Sequence, residues 1–271
     1  MYNKPLLVAR GSMKIKGTKQ KLARLRTFNL VMAGLHAVQA IIIAIISSDF
    51  SLPVKASYLD FDQSTQTLFI QSTELFEVQI AWLIVVFLAL SSLAHLTIST
   101  IYKDKYESDL KKGINRLRWY EYSLSASVMI VAIAMLVGIY DAGSLFMLFS
   151  LVAVMNLTGL IMEVHNQKSK KVDWLSFNVG TFAGLVPWVV IAFYFWTTNT
   201  YGAGEIPTFV YWIYATIFAF FNAFAVNMIL QYKKIGKWHD YLYGEKAYIV
   251  LSLVAKSALA WQVYAGTLQP A

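Results

Sequence analysis

The chain has 271 residues, 58% of them hydrophobic and only 14% charged, with a net charge of +8 and a mean hydropathy of +0.53. Soluble domains carry about 25% charged residues, so this balance points to a polytopic membrane protein and away from a nucleic-acid binder. With no cysteine in the chain, disulfides, thiolate chemistry and cysteine-based metal sites are excluded.

The first 27 residues hold eight Lys/Arg and no acid. The apolar run after them carries His36 and Gln39 and lacks a small-residue cleavage site, so it reads as a retained first helix and not a signal peptide. Seven apolar segments follow one another near 28–48, 76–101, 117–139, 143–163, 174–197, 207–231 and 245–267. Each is close to the ~20 residues a helix needs to cross a bilayer. Their length, without period-2 alternation, predicts helices and not a barrel.

Between the first two spans, "VKASYLDF" and "TLFIQST" flank Asp62-Gln63-Ser64, which predicts a small β-hairpin in loop 49–75. The other connections are short, so neighbouring helices are expected to be antiparallel in one bundle. The N-terminal segment and the loops 103–118, 168–171 and 233–246 hold 21 of the 23 basic residues. The alternate loops hold only Lys55, and the remaining cation is Lys256. This positive-inside pattern predicts a multi-pass cell-membrane protein with its N-terminus in the cytoplasm and its C-terminus outside. The domain reading is a basic cytoplasmic segment over 1–27 and a seven-helix transmembrane domain over 28–268. The fold class is an all-α membrane protein, a seven-transmembrane helix bundle with a small extracellular β-hairpin.

Lys256 stands about 12 residues into the last span, roughly 18 Å at 1.5 Å per residue, too deep to reach the interface easily. A basic residue there costs about 2.5–3.5 kcal/mol on insertion scales. A desolvated amine is a base or a nucleophile, able to attack an aldehyde and form a Schiff base. A protonated Schiff base needs an anion, and Glu121 in the third span lies at nearly matching depth, roughly 12 Å in. Arg118, one turn before Glu121, reads equally as its partner or as a positive-inside anchor, and Glu163 reads as an interfacial charge. Ser125 and Ser252 share helix faces with Glu121 and Lys256; Ser91 shares one with His95, and His36 lies near Gln39. These groups are candidates for one polar cavity. Two histidines without further ligands do not make a metal site. Tyr122, Trp188, Phe220 and Phe221 read either as helix packing or as the wall of an apolar ligand cavity.

Several stretches closely resemble the heliorhodopsin family: "RWYEYSLSASVMI" (118–130), "GEKAYIVLSLVAKSALAWQVYAGTL" (244–268), "LALSSLAH" (88–95), "GLVPW" (184–188) and "FFNAFA" (220–225). The resemblance spans essentially all seven segments, and the inverted orientation agrees with it. It implies that Lys256 carries all-trans retinal as a protonated Schiff base with Glu121 as counterion. It further implies a polar network of Ser91, His36, His95, Ser125 and Ser252, and pocket residues Tyr122, Met155, Gly159, Trp188 and Phe221. The hairpin belongs to the family pattern, where it helps form a homodimer. The expected partners are retinal, membrane lipid and a cytoplasmic signalling protein.

Proton-pumping rhodopsins carry a second carboxylate about three turns beyond the counterion, and another acid one turn before the lysine. Here those positions are Val131, Ala132 and Ile133, and Ser252. The missing acids favour a light sensor over a pump, and no enzyme activity is expected. The alternatives are a light-driven ion or proton transporter or channel, and a light-independent proton-coupled carrier or membrane enzyme that uses the Lys256/Glu121 pair.

Overall fold

The computed structural model describes residues 18–202, 204 and 206–268. Most of the basic N-terminal segment, and the last three residues of the tail, lie outside the described residues. Within them the chain order is α1 (Thr18–Ile46), β1 (Ser51–Asp62), β2 (Thr67–Gln79), α2 (Ile80–Ser99), α3 (Lys103–Lys111), α4 (Arg116–Leu136), α5 (Ala142–His165), α6 (Leu175–Tyr201), α7 (Thr208–Lys233) and α8 (Tyr241–Val263), which runs into a wide π turn at Tyr264–Leu268. All but α3 are long and apolar enough to cross a membrane, which makes seven candidate spans among the described residues.

The helix starts follow local chemistry. Asn115, Asp141 and Asp240 cap α4, α5 and α8, their side chains accepting the backbone N–H of Arg118, Ser144 and Leu242. Such caps satisfy donors that the first turn leaves unpaired. The first helix begins earlier than the apolar run suggests, because Leu22 and Leu25 are buried on one face of its basic extension. In the second connection the expected loop folds into α3, which buries Tyr106, Asp109 and Leu110. Asp109 ties α3 to α4 through Arg116, at 2.5 Å.

The hairpin is longer than expected. Its strands pair antiparallel from Ser51↔Gln79 to Asp62↔Thr67, with a register shift at Val54/Lys55, and β2 passes directly into α2. Residues 76–79, expected to open the second span, are strand because they complete this ladder. The hairpin base is fixed to the bundle by Lys55 N–H to the Tyr140 carbonyl (2.8 Å) and by Ile80 N–H to the Phe50 carbonyl (3.1 Å). At its tip the Asp62 carboxylate accepts the Ser64 hydroxyl and the backbone N–H of Ser64 and Thr65. The Ser64 hydroxyl first, then these amides, pull the Asp62 carboxyl down to about 2.

The helices pack in sequence, α1 on α2, α2 on α4, α4 on α5, α5 on α6 and α7 on α8, and α8 closes the ring against α1. The ends of α2, α5 and α7 and the starts of α4, α6 and α8 lie on the side of α3, here called the basic face. The opposite side carries the hairpin. The largest apolar core, with Ile84, Leu88, Ile133, Ile213 and Leu259, fills the half toward the hairpin.

Candidate functional site

Lys256 is buried in α8, and its Nζ lies 3.0 Å from Glu121 Oε1 on α4. The same Nζ donates to Ser252 Oγ, one turn earlier, at 2.9 Å. Glu121 Oε1 also accepts the Ser91 hydroxyl from α2 at 2.6 Å. Three helices therefore converge on one carboxylate. Ser125 is fully buried one turn beyond Glu121. Stripping water from an ammonium costs far more than a surface position would, and only a paired, hydrogen-bonded charge survives such burial.

Two buried rings extend the cluster. His36 and His95 stack with centroids 5.7 Å apart, and His95 Nδ1 lies 2.7 Å from Asn29 Oδ1. Gln39 does not join them. Its side chain turns outward and accepts the Trp261 indole N–H at 3.1 Å.

The other sequence candidates form a second part of the site. Lys256 Nζ sits 5.1 Å from the centroid of the Tyr122 ring, and Tyr122 meets Phe224 edge-on at 5.3 Å. Phe224 and Trp119 line an apolar cavity with Met155, Gly159, Trp188 and Phe221. Trp188 also meets Phe221 edge-on at 5.3 Å. Glycines hold the wall of this cavity open: a Cβ on Gly184 would strike Met155 Sδ, and one on Gly180 would strike Thr158 Oγ1. Tyr122 thus neighbours both Lys256 and the cavity-lining Phe224 but does not itself line the cavity. An elongated apolar ligand bound to Lys256 fits this arrangement of an amine, a paired carboxylate and an adjoining aromatic cavity.

Two readings need correction. Arg118 is not the partner of Glu121. It points toward the basic face, where it pairs with Glu245 on α8 and with Glu163 on α5, the latter at 2.5 Å. Glu163 is accordingly no interfacial charge: its side chain is 1% exposed, as is that of Glu245. Adjacency on one helix fixes a shared face but says nothing of which carboxylates neighbouring helices bring. The Arg118 guanidinium also lies over the Tyr248 ring, 4.0 Å from its centroid. Tyr106 from α3 donates to Glu245 at 3.1 Å. Burial first, then the Glu245 carboxylate, holds the Tyr106 hydroxyl well above its ordinary range, so it remains a donor.

Sequence reasoning passed over Glu245 altogether. A signal was present: Glu245, Ile249, Ser252 and Lys256 follow the 4-3-4 spacing of one helix face.

A family model described as Heliorhodopsin matches residues 25–268. The search among curated proteins finds no match.

Proposed function

We propose, since the chain belongs to the heliorhodopsin family of retinal-binding rhodopsin photoreceptors, that Lys256 carries all-trans retinal as a protonated Schiff base and that Glu121 is its counterion. The observation that carries this reading is the 3.0 Å contact between Lys256 Nζ and Glu121 Oε1 in a buried setting. Retinal, when bound, supplies the absorption of light and the isomerisation that follows. Glu121 holds the proton on the Lys256 nitrogen by charge attraction. Ser91 and Ser252 fix the two partners in register, each with one hydrogen bond. Met155, Gly159, Trp188 and Phe221 supply the apolar wall, and Tyr122 shields the nitrogen. His36 and His95 complete the polar surround.

The output is a signal and not ion transport. Supporting this, Ala132 and Ile133, where a pump would carry its second acid, are buried apolar side chains. The alternation between two bundle arrangements is the general form of a switch. The basic face, by its charge, is placed in the cytoplasm with the N-terminus, where a signalling protein can reach it. The hairpin, with Leu59, Leu68 and Ile70 exposed, is the element we assign to a homodimer contact.

The test is optical. Supplied with retinal, the protein is expected to show a visible band that Lys256→Ala abolishes; a band surviving in that variant contradicts the reading. Glu121→Gln is expected to move the band to the red, and an unchanged spectrum removes Glu121 as counterion.

A further inference from the structure

Two ionic centres lie one above the other in the bundle. The first is Lys256 with Glu121. The second is Arg118 with Glu163 and Glu245, all three side chains at most 4% exposed. One guanidinium against two carboxylates leaves one negative charge uncompensated, and a buried net charge favours taking up a proton.

The hydrogen bonds decide which carboxylate has room for it. An ionised carboxylate offers about four acceptor sites. In Glu163 all are used: Oε1 accepts Arg118 Nη2 (2.5 Å) and the Tyr241 hydroxyl (3.1 Å), and Oε2 accepts the Asn115 backbone N–H (2.9 Å) and the Trp119 indole N–H (2.7 Å). A proton there must expel a donor. In Glu245, Oε1 accepts the Tyr106 hydroxyl (3.1 Å) and Asn115 Nδ2 (2.6 Å), while Oε2 accepts only Arg118 Nη1. One acceptor site on Glu245 is left.

Glu245 also borders a small polar cavity. Asn29, His95, Arg118, Glu121 and Glu245 all line it, and its volume is about 20 Å³. A water molecule needs ~10–15 Å³ on this measure, with two to four polar partners. The cavity thus joins the two ionic centres through room for one water.

We infer that Glu245 is the internal proton acceptor of the photoreceptor, reached from Glu121 through this cavity. The inference rests on the assignment of Lys256 as the retinal carrier. The N–H bond at Lys256 Nζ breaks and Glu121 takes the proton. Glu121 passes a proton to the bridging water, and the water passes one on to Glu245 Oε2, where an O–H bond forms. The nitrogen ends neutral, Glu121 ends anionic and Glu245 ends as the neutral acid, so total charge is unchanged. The groups facing the two carboxylates are Arg118, Glu163, Tyr106, Tyr241, His95 and Lys256. Beyond Glu245 the proton meets the filled Glu163 and the Arg118 cation, which turn it back.

Infrared difference spectroscopy tests this. In the retinal-loaded protein, light is expected to raise an acid carbonyl band that Glu245→Gln removes and Glu163→Gln keeps. Tyr106→Phe, which deletes one donor to Glu245, is expected to move that band, and this arm stands even where Glu245→Gln fails to fold. No band in the coloured wild type, a band kept in Glu245→Gln, or one unmoved in Tyr106→Phe overturns the inference. Colour surviving in Lys256→Ala would instead defeat the retinal assignment.

Discussion

The two halves of the bundle, divided at Lys256, are built on opposite rules. Toward the hairpin the interior is hydrocarbon, with Ile84, Leu88, Ile130, Ile213 and Val263 buried against one another. Among the described residues that half holds no buried charged side chain. Toward the basic face the interior holds Arg118, Glu163, Glu245, Asn29 and Asn115, all buried. The same helices supply both halves, so the difference lies in residue choice along each helix and not in fold. Among the described residues, the buried charged groups other than Lys256 itself lie from Lys256 toward the basic face. Under the proposed function we read this asymmetry as that of a device that stores a proton and returns it.

The comparison breaks most severely at Arg118. Arg118→Gln leaves Glu163 and Glu245 buried without their cation, and removal of one partner from a buried ion network costs about 3–5 kcal/mol. Thermal unfolding followed by helical circular dichroism is expected to show a large loss; a near wild-type transition would mean that the cluster is hydrated and not a true buried centre. The converse change puts an acid into the apolar half. Ala132→Asp, at a fully buried position, is expected to cost about 2.5–3.5 kcal/mol, and unaltered stability would show that water already reaches there. Asn115→Ala removes both a helix cap and a donor to Glu245. Its expected cost is smaller, about 1–2 kcal/mol, again read by thermal unfolding.

The smallest effect lies outside the membrane. Asp62 titrates at about 2, below its ordinary value, so its contribution to the hairpin turn is present above the ordinary carboxylate range and is lost as pH falls through about 2. Ser64→Ala deletes the leading hydrogen bond and is expected to raise that midpoint toward the ordinary value, as read by carboxyl carbon resonance. A midpoint that does not move would place the cause elsewhere in the turn.

Much of this was legible in the chain itself. Span length and the run of basic loops define the seven helices, and each span expectation differs from its helix mainly at the ends. The depth of Lys256 and Glu121 pairs them before any coordinate is known. What hid from the sequence is explained by its physics. Helix α3, "KDKYESDLK", is too polar for a span, and its burial of Tyr106 and Leu110 depends on α1 and α8 being there to receive them. The partners of Arg118 come from α5 and α8, and no pattern within α4 announces them. Glu245 lies at the edge of its span, where an acid looks like a solvated end, and only closure of the bundle buries it.

Flash spectroscopy of the retinal-loaded protein, with a pH-sensitive dye in the surrounding medium, tests the central claim most directly. The account predicts that the pigment deprotonates and recovers while the dye stays silent, because the proton remains between Glu121 and Glu245. A dye response matching the pigment in yield, with the proton released to solvent, would contradict it.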